Sequence, residues 1–122
     1  MQILPLSAVP SQTFSAALSG QAVAFALYQL GVGAAAAMFL DVTSNGVAMF
    51  SCRQTRAYGG LPQTRAAFMM AGRRYLGFQG DFLFLDTQAS ETNPTEDPQY
   101  SGLGSRWQLM YFTPADLQGA GL

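Results

Sequence analysis

Thirteen charged side chains, one cysteine and a few glycine spacings are what this chain of 122 residues offers to chemistry: seven acids, six arginines, no lysine and no histidine. Without histidine, the usual general base and the commonest metal ligand are missing. Cys52 closes the run Phe50-Ser51-Cys52-Arg53. A nucleophilic thiolate normally leans on a histidine, so Cys52 is predicted to be a small buried apolar side chain. Being single, it makes no intramolecular disulfide and asks for no oxidising compartment. Asp86, Glu91, Glu96 and Asp97 gather in one polar stretch where a hard cation could in principle sit. Their spacing lacks the alternating acids and central glycine of a calcium loop, which makes a solvated loop the better reading. Glycosidic chemistry needs one carboxyl in an apolar pocket. Asp81 and Asp86 flank an apolar run, and nothing singles either out for that role. The string Gly31-x-Gly33-x-x-Ala36 matches a dinucleotide fingerprint in letters only: Asp41 follows too soon, and a strand pattern stands where the long helix belongs. The sequence therefore predicts no enzyme, and no catalytic, cofactor-binding or metal-binding residue.

What remains is contact chemistry. Every basic residue is arginine, whose planar fork suits interface ion pairs; a GC-rich genome would give the same bias. Arg73-Arg74, with Arg53, Arg56 and Arg65, forms a modest basic cluster in the middle third. It reads either as solvated surface or as a docking patch for an acidic partner, such as the 86–97 loop of a neighbouring copy. The net charge of −1 leaves no electrostatic footprint for nucleic acid. Charged residues make up 11% of the chain, below the usual share for a soluble domain, which suggests a surface that meets other protein.

The elements that must position these groups read as strands. Pro5 and Pro10 keep the opening segment extended. Phe14, Ala16 and Leu18 alternate, Ser19-Gly20 turns, and Val23, Phe25 and Leu27 alternate again, which is a hairpin. Met38, Leu40 and Val42 resume the period, Asn45-Gly46 is the strongest hairpin signal in the chain, and Val47 to Cys52 returns. The first half is thus a predicted four-strand meander. No charge precedes Asp41, and Ala22 to Leu40 is long enough to cross a bilayer. Its period of two, and the lack of flanking basic residues, argue for strands and against a membrane helix. No basic region precedes an apolar block at the N-terminus, so no secretory signal is expected. Residues 64–72 read as a short helical turn or another strand. Phe82-Leu83-Phe84-Leu85 suits a strand buried on both faces. Residues 89–104 form a long turn-rich loop, and Trp107 to Phe112 is the last strand, with Trp107, Leu109 and Tyr111 on one face. Thr113 is a predicted N-cap, Pro114 the first helical position and Asp116 a favourable acid, starting a helix of one or two turns.

Three strings in order carry a family resemblance. They are Pro10-Ser11-Gln12-Thr13-Phe14 with Gly20-Gln21; the Asn45-Gly46 hairpin; and Asp86-Thr87-Gln88, a polar loop, then Asp97-Pro98-Gln99-Tyr100-Ser101-Gly102-Leu103-Gly104-Ser105-Arg106-Trp107 with Leu109 and Tyr111. The whole resembles the small baseplate plug proteins of contractile-tailed bacteriophages. The resemblance spans nearly the full chain, is strongest over 86–111 and weakest over 53–80, and departs from the family layout in the alanine-rich 33–37. It implies a virion protein of the baseplate hub region, assembled in the host cytoplasm without a cofactor.

Together these readings predict one all-β domain over residues 1–122, a small barrel or sandwich of six or seven strands with a short C-terminal helix. The expected partners are other baseplate and tail proteins (hub, spike, tube or tape-measure), met in several symmetric copies, with no nucleic acid and no membrane. The interface candidates are Tyr100, Arg106, Trp107, Asp86, Asp97, Arg73 and Arg74. Tyr100, Arg106 and Trp107 bring the residue types that interfaces concentrate, and the same cluster would serve equally to close the loop over the core. The alternative function is a small ligand- or glycan-binding β-module.

Overall fold

The computed structural model describes residues 2–18, 20–31, 33, 36–58, 68–70, 76, 78–89, 92 and 94–119. Alternation builds the first sheet. The strands β1 (Gln2–Leu4), β2 (Ser11–Leu18), β3 (Gln21–Leu30), β4 (Ala37–Ser44) and β5 (Val47–Gln54) follow one another, and β2 to β5 form an antiparallel sheet in sequence order. Val23, Phe25 and Leu27 on β3 and Met38, Leu40 and Val42 on β4 are buried, because a period of two sends every second side chain to the same face. Asn45 and Gly46, with φ of 50° and 82°, make the tight turn between β4 and β5. The Asn45 side chain also accepts the Ala22 N–H at 3.2 Å, which ties that turn to the start of β3.

One expectation fails on β5. Cys52 is exposed, not buried. β5 carries two irregularities against β4, and Cys52 takes a left-handed φ of 51° at one of them. A bulge adds a residue and breaks the alternation from which burial was read. The Asp41 carboxylate accepts the Cys52 N–H at 2.6 Å and the Tyr28 hydroxyl at 2.8 Å, fixing the bulge from the neighbouring strand.

The second sheet is assembled from distant parts. β6 (Ala57–Tyr58), β7 (Asp81–Asp86) and β8 (Trp107–Phe112) join β1 in the order β1-β8-β7-β6, with β6 parallel to β7 and the rest antiparallel. The two sheets face each other as a sandwich rather than closing into a barrel. Eight strands are present among the described residues, more than the six or seven expected, because β1 and β6 are too short to show a period. Phe14 stacks on Phe25, Phe25 meets Phe82 edge-on at 5.4 Å, and Phe82 contacts Tyr111 at 5.6 Å, so aromatic rings run through the core from sheet to sheet.

The far face of β7 and β8 is also buried. Leu83, Met110 and Phe112 pack with Phe68 and with Leu117 of α1 (Pro114–Gly119). That helix starts as predicted: the Thr113 hydroxyl accepts the Asp116 N–H at 3.1 Å while the Asp116 carboxylate accepts the Thr113 N–H at 3.0 Å. Residues 68–70 form a buried turn held by Asp81, whose carboxylate accepts the Met70 N–H at 2.8 Å. The rest of the 64–72 segment lies outside the described residues. Among the described residues no helix is long and apolar enough to cross a membrane.

Candidate functional site

The long connection from β7 to β8 holds most of the residues singled out above. Antiparallel pairing sets Asp86, the last residue of β7, opposite Trp107, the first of β8. Arg106 therefore arrives beside the Asp86 carboxylate although 20 positions separate them. Nε and Nη2 of Arg106 each donate to Asp86 at 2.9 Å, a bidentate fork. Asp86 also accepts the N–H of Gln88 and of Glu96, both at 3.1 Å. Its carboxyl is held down at about 2, first by the Arg106 hydrogen bonds and then by the two backbone donors, against the opposing effect of burial. Asp86 is thus kept ionised, the reverse of what a general acid in an apolar pocket requires.

The network continues outward. Nη1 of Arg106 pairs with the Glu96 carboxylate at 2.9 Å, and the Glu96 carbonyl accepts the Trp107 indole N–H at 2.9 Å. The guanidinium lies 4.7 Å from the Trp107 ring centre. Thr87 bonds the Arg106 carbonyl through its N–H at 2.8 Å and its hydroxyl at 2.9 Å. Gly102 lies so close to the Trp107 ring that a side chain there would collide with it. Gly104 has a φ of +83° and sits against the Leu6 carbonyl, so it is glycine for both conformation and space. Leu103 and Pro98 are buried. The loop is thereby closed onto the core along its inner side.

Its outer side is different. Tyr100 stands on a 3-10 turn, Tyr100–Gly102, and is 37% exposed. Gln99 and Ser101 are exposed beside it. Asp97 pairs with Arg56 at 2.6 Å, both side chains well exposed, which links the loop to the β5–β6 connection. Between this rim and the ends of β4 and β5 runs a groove of about 510 Å³, with Met38, Gln54, Thr55, Asp97, Pro98 and Gln99 on its walls.

Of the predicted site residues, Asp86, Arg106 and Trp107 are thus brought together, and they bond to one another and to Glu96. Asp97 and Tyr100 lie on the outer rim. Arg73 and Arg74 lie outside the described residues, as does Arg65. The partners that sequence reasoning left unassigned are Glu96, which serves both Arg106 and Trp107, and Arg56, which holds Asp97. Both pairings join a loop residue to a group with no fixed sequence offset, so no period announced them. Among the described residues no group of three or more His, Cys, Asp or Glu is placed to hold a metal ion.

The sequence matches the family described as Cyanophage baseplate Pam3 plug gp18 over residues 1–114. No curated protein matches it. The match spans most of the chain, and the chain belongs to this baseplate plug family of bacteriophages, whose members are structural proteins of the tail baseplate.

Proposed function

We propose that this member of the baseplate plug family acts in the hub region of a contractile tail through protein–protein contacts, with the outer rim of the 94–101 segment as a docking surface. The observation that supports this is the two-sided character of the loop. Its inner side uses Asp86, Arg106 and Trp107 to hold one conformation, and its outer side leaves Asp97, Gln99 and Tyr100 exposed beside a groove. A prearranged loop contributes affinity by lowering the ordering cost of docking. Tyrosine is a frequent interface anchor. Arg106 and Trp107 would then support the surface from beneath, and Asp97 would offer its charge at the margin. The partners would be hub, spike, tube or tape-measure subunits, met in several copies during assembly in the host cytoplasm.

A small ligand- or glycan-binding module would use the same groove. Sugar recognition commonly stacks an aromatic face on the ring, and the only tryptophan is 5% exposed, which disfavours that reading. The test compares Tyr100→Ala with Arg106→Ala for folding and for incorporation into baseplates. Tyr100→Ala should fold normally and incorporate poorly, whereas Arg106→Ala should lose stability as well. Normal incorporation of a folded Tyr100→Ala chain would remove the rim from the interface.

A further inference from the structure

The four sheet edges of the sandwich are not equally protected. β1 has three residues and β6 has two, so each presents little free backbone. β5 is interrupted by two irregularities and a left-handed residue. Short strands and bulges are the usual means of keeping an edge from pairing with another chain. β2 has neither. It runs eight residues in unbroken register with β3, Ser11 opposite Tyr28 through Leu18 opposite Gln21, and it contains no charged residue and no proline. Among the described residues nothing pairs with its outer side.

The register says which groups are free. The Pro10 carbonyl accepts the Gln29 N–H at 2.9 Å, so the even-numbered residues of β2 exchange hydrogen bonds with β3. In an antiparallel pair the residues between them turn their N–H and C=O the other way. Ser11, Thr13, Ser15 and Ala17 therefore direct their backbone groups to the outer edge, and their side chains are exposed and small. On the inner face the middle of the strand is Phe14, stacked on Phe25 at 4.8 Å but only partly buried, since among the described residues no strand lies beyond it.

We propose that the outer edge of β2 pairs antiparallel with β2 of a second copy of this chain about a two-fold axis at Phe14. That register sets Ser11 opposite Ala17 of the second copy and Thr13 opposite Ser15. All the free backbone groups of both strands are then matched, in about eight hydrogen bonds. Phe14 meets Phe14 of the second copy and loses its open side. The fit is isologous, as a two-fold requires, and the strand brings no charge to oppose itself. Side chains this small let the backbones approach without a clash. An edge of this length buries less than a standard interface, so the dimer is reversible and concentration-dependent.

The experiment is sedimentation velocity on the full chain from micromolar to millimolar concentration, with amide exchange read residue by residue at both ends of that range. The wild type should dimerise, and the Thr13, Ser15 and Ala17 amides should exchange more slowly at high concentration while the Phe14 and Ala16 amides, already bonded to β3, change little. Ser15→Lys sets two like charges near the axis and should weaken the dimer at least tenfold. Thr13→Pro removes an outward N–H and should do the same. Thr43→Lys, in mid-sheet on β4, should leave it intact. A wild type that stays monomeric overturns the proposal, as does a dimer indifferent to Ser15→Lys or one equally sensitive to Thr43→Lys. Should the two β2 variants fail to fold, the wild-type exchange pattern decides: concentration-independent Thr13 and Ser15 amides contradict the pairing.

Discussion

The strands β7 and β8 are covered on both faces, whereas β2 and β3 are covered on one. Behind β7 and β8 the chain has placed α1, with Leu117, and the buried turn at 68–70, which together hide Leu83, Met110 and Phe112. Behind β2 and β3 it has placed nothing among the described residues, and Ser15, Ala17, Ala22 and Ala24 are exposed. The sheet that holds β7 and β8 is thus finished by its own chain. The sheet that holds β2 and β3 offers a small-residue surface and an unblocked edge. Under the proposed function such a division has a meaning: the self-covered half would carry stability, and the bare sheet and the 94–101 rim would be the surfaces left to neighbours.

The sharpest way to break this contrast is a pair of truncations. Leu83→Ala empties a site packed on every side and should cost about 2–5 kcal/mol in chemical denaturation. Thr43→Ala, on the outer face of β4, should stay within about 0.5 kcal/mol. Similar losses at both positions would mean that the two sheets do not divide the work. The next effect lies in the loop. Asp86→Ala strips the Arg106 fork and two backbone N–H groups of their acceptor, and should cost about 2–3 kcal/mol in the same measurement. A loss near zero would show that the inner side of the loop is not what holds it.

The strands of the bare sheet were legible in the sequence for the reason that makes them bare. A strand buried on one face alternates, and Val23, Phe25 and Leu27 announce it. β7 shows no alternation but is short, apolar and bounded by acids, which was enough. β6 has two residues, too few for any period, and its parallel partner lies far along the chain. Cys52 was misread because a bulge shifts the period that predicts burial. In the loop, the aromatic and arginine residues were visible as a cluster, and their direction was not. Whether Arg106 faces a neighbour or Asp86 depends on the β7–β8 register, which no local pattern specifies.

A smaller effect sharpens the loop account through pH. The carboxyl of Asp86 falls from its ordinary 3.8 to about 2 on folding. A depressed carboxylate contributes stability that is complete above the unfolded value and is lost as pH drops through the folded one. Thermal unfolding should therefore show about 2 kcal/mol disappearing between roughly pH 4 and pH 2, and Asp86→Asn should flatten that part of the profile. An unchanged profile in the variant would assign the acid sensitivity elsewhere. The smallest effect belongs to the rim. Asp97→Ala breaks only the exposed pair with Arg56 and should cost less than about 1 kcal/mol in isolation.

The central claim is that the 94–101 rim is a docking surface prearranged by the Asp86–Arg106–Trp107 network. The most direct measurement is the structure of the intact baseplate by cryo-electron microscopy. The account predicts that Tyr100, exposed in the single chain, is covered by a neighbouring subunit while Arg106 keeps its fork on Asp86 of its own chain. A rim left in solvent in the assembled particle, or an Arg106 that has left Asp86 to pair with a neighbour, would contradict it.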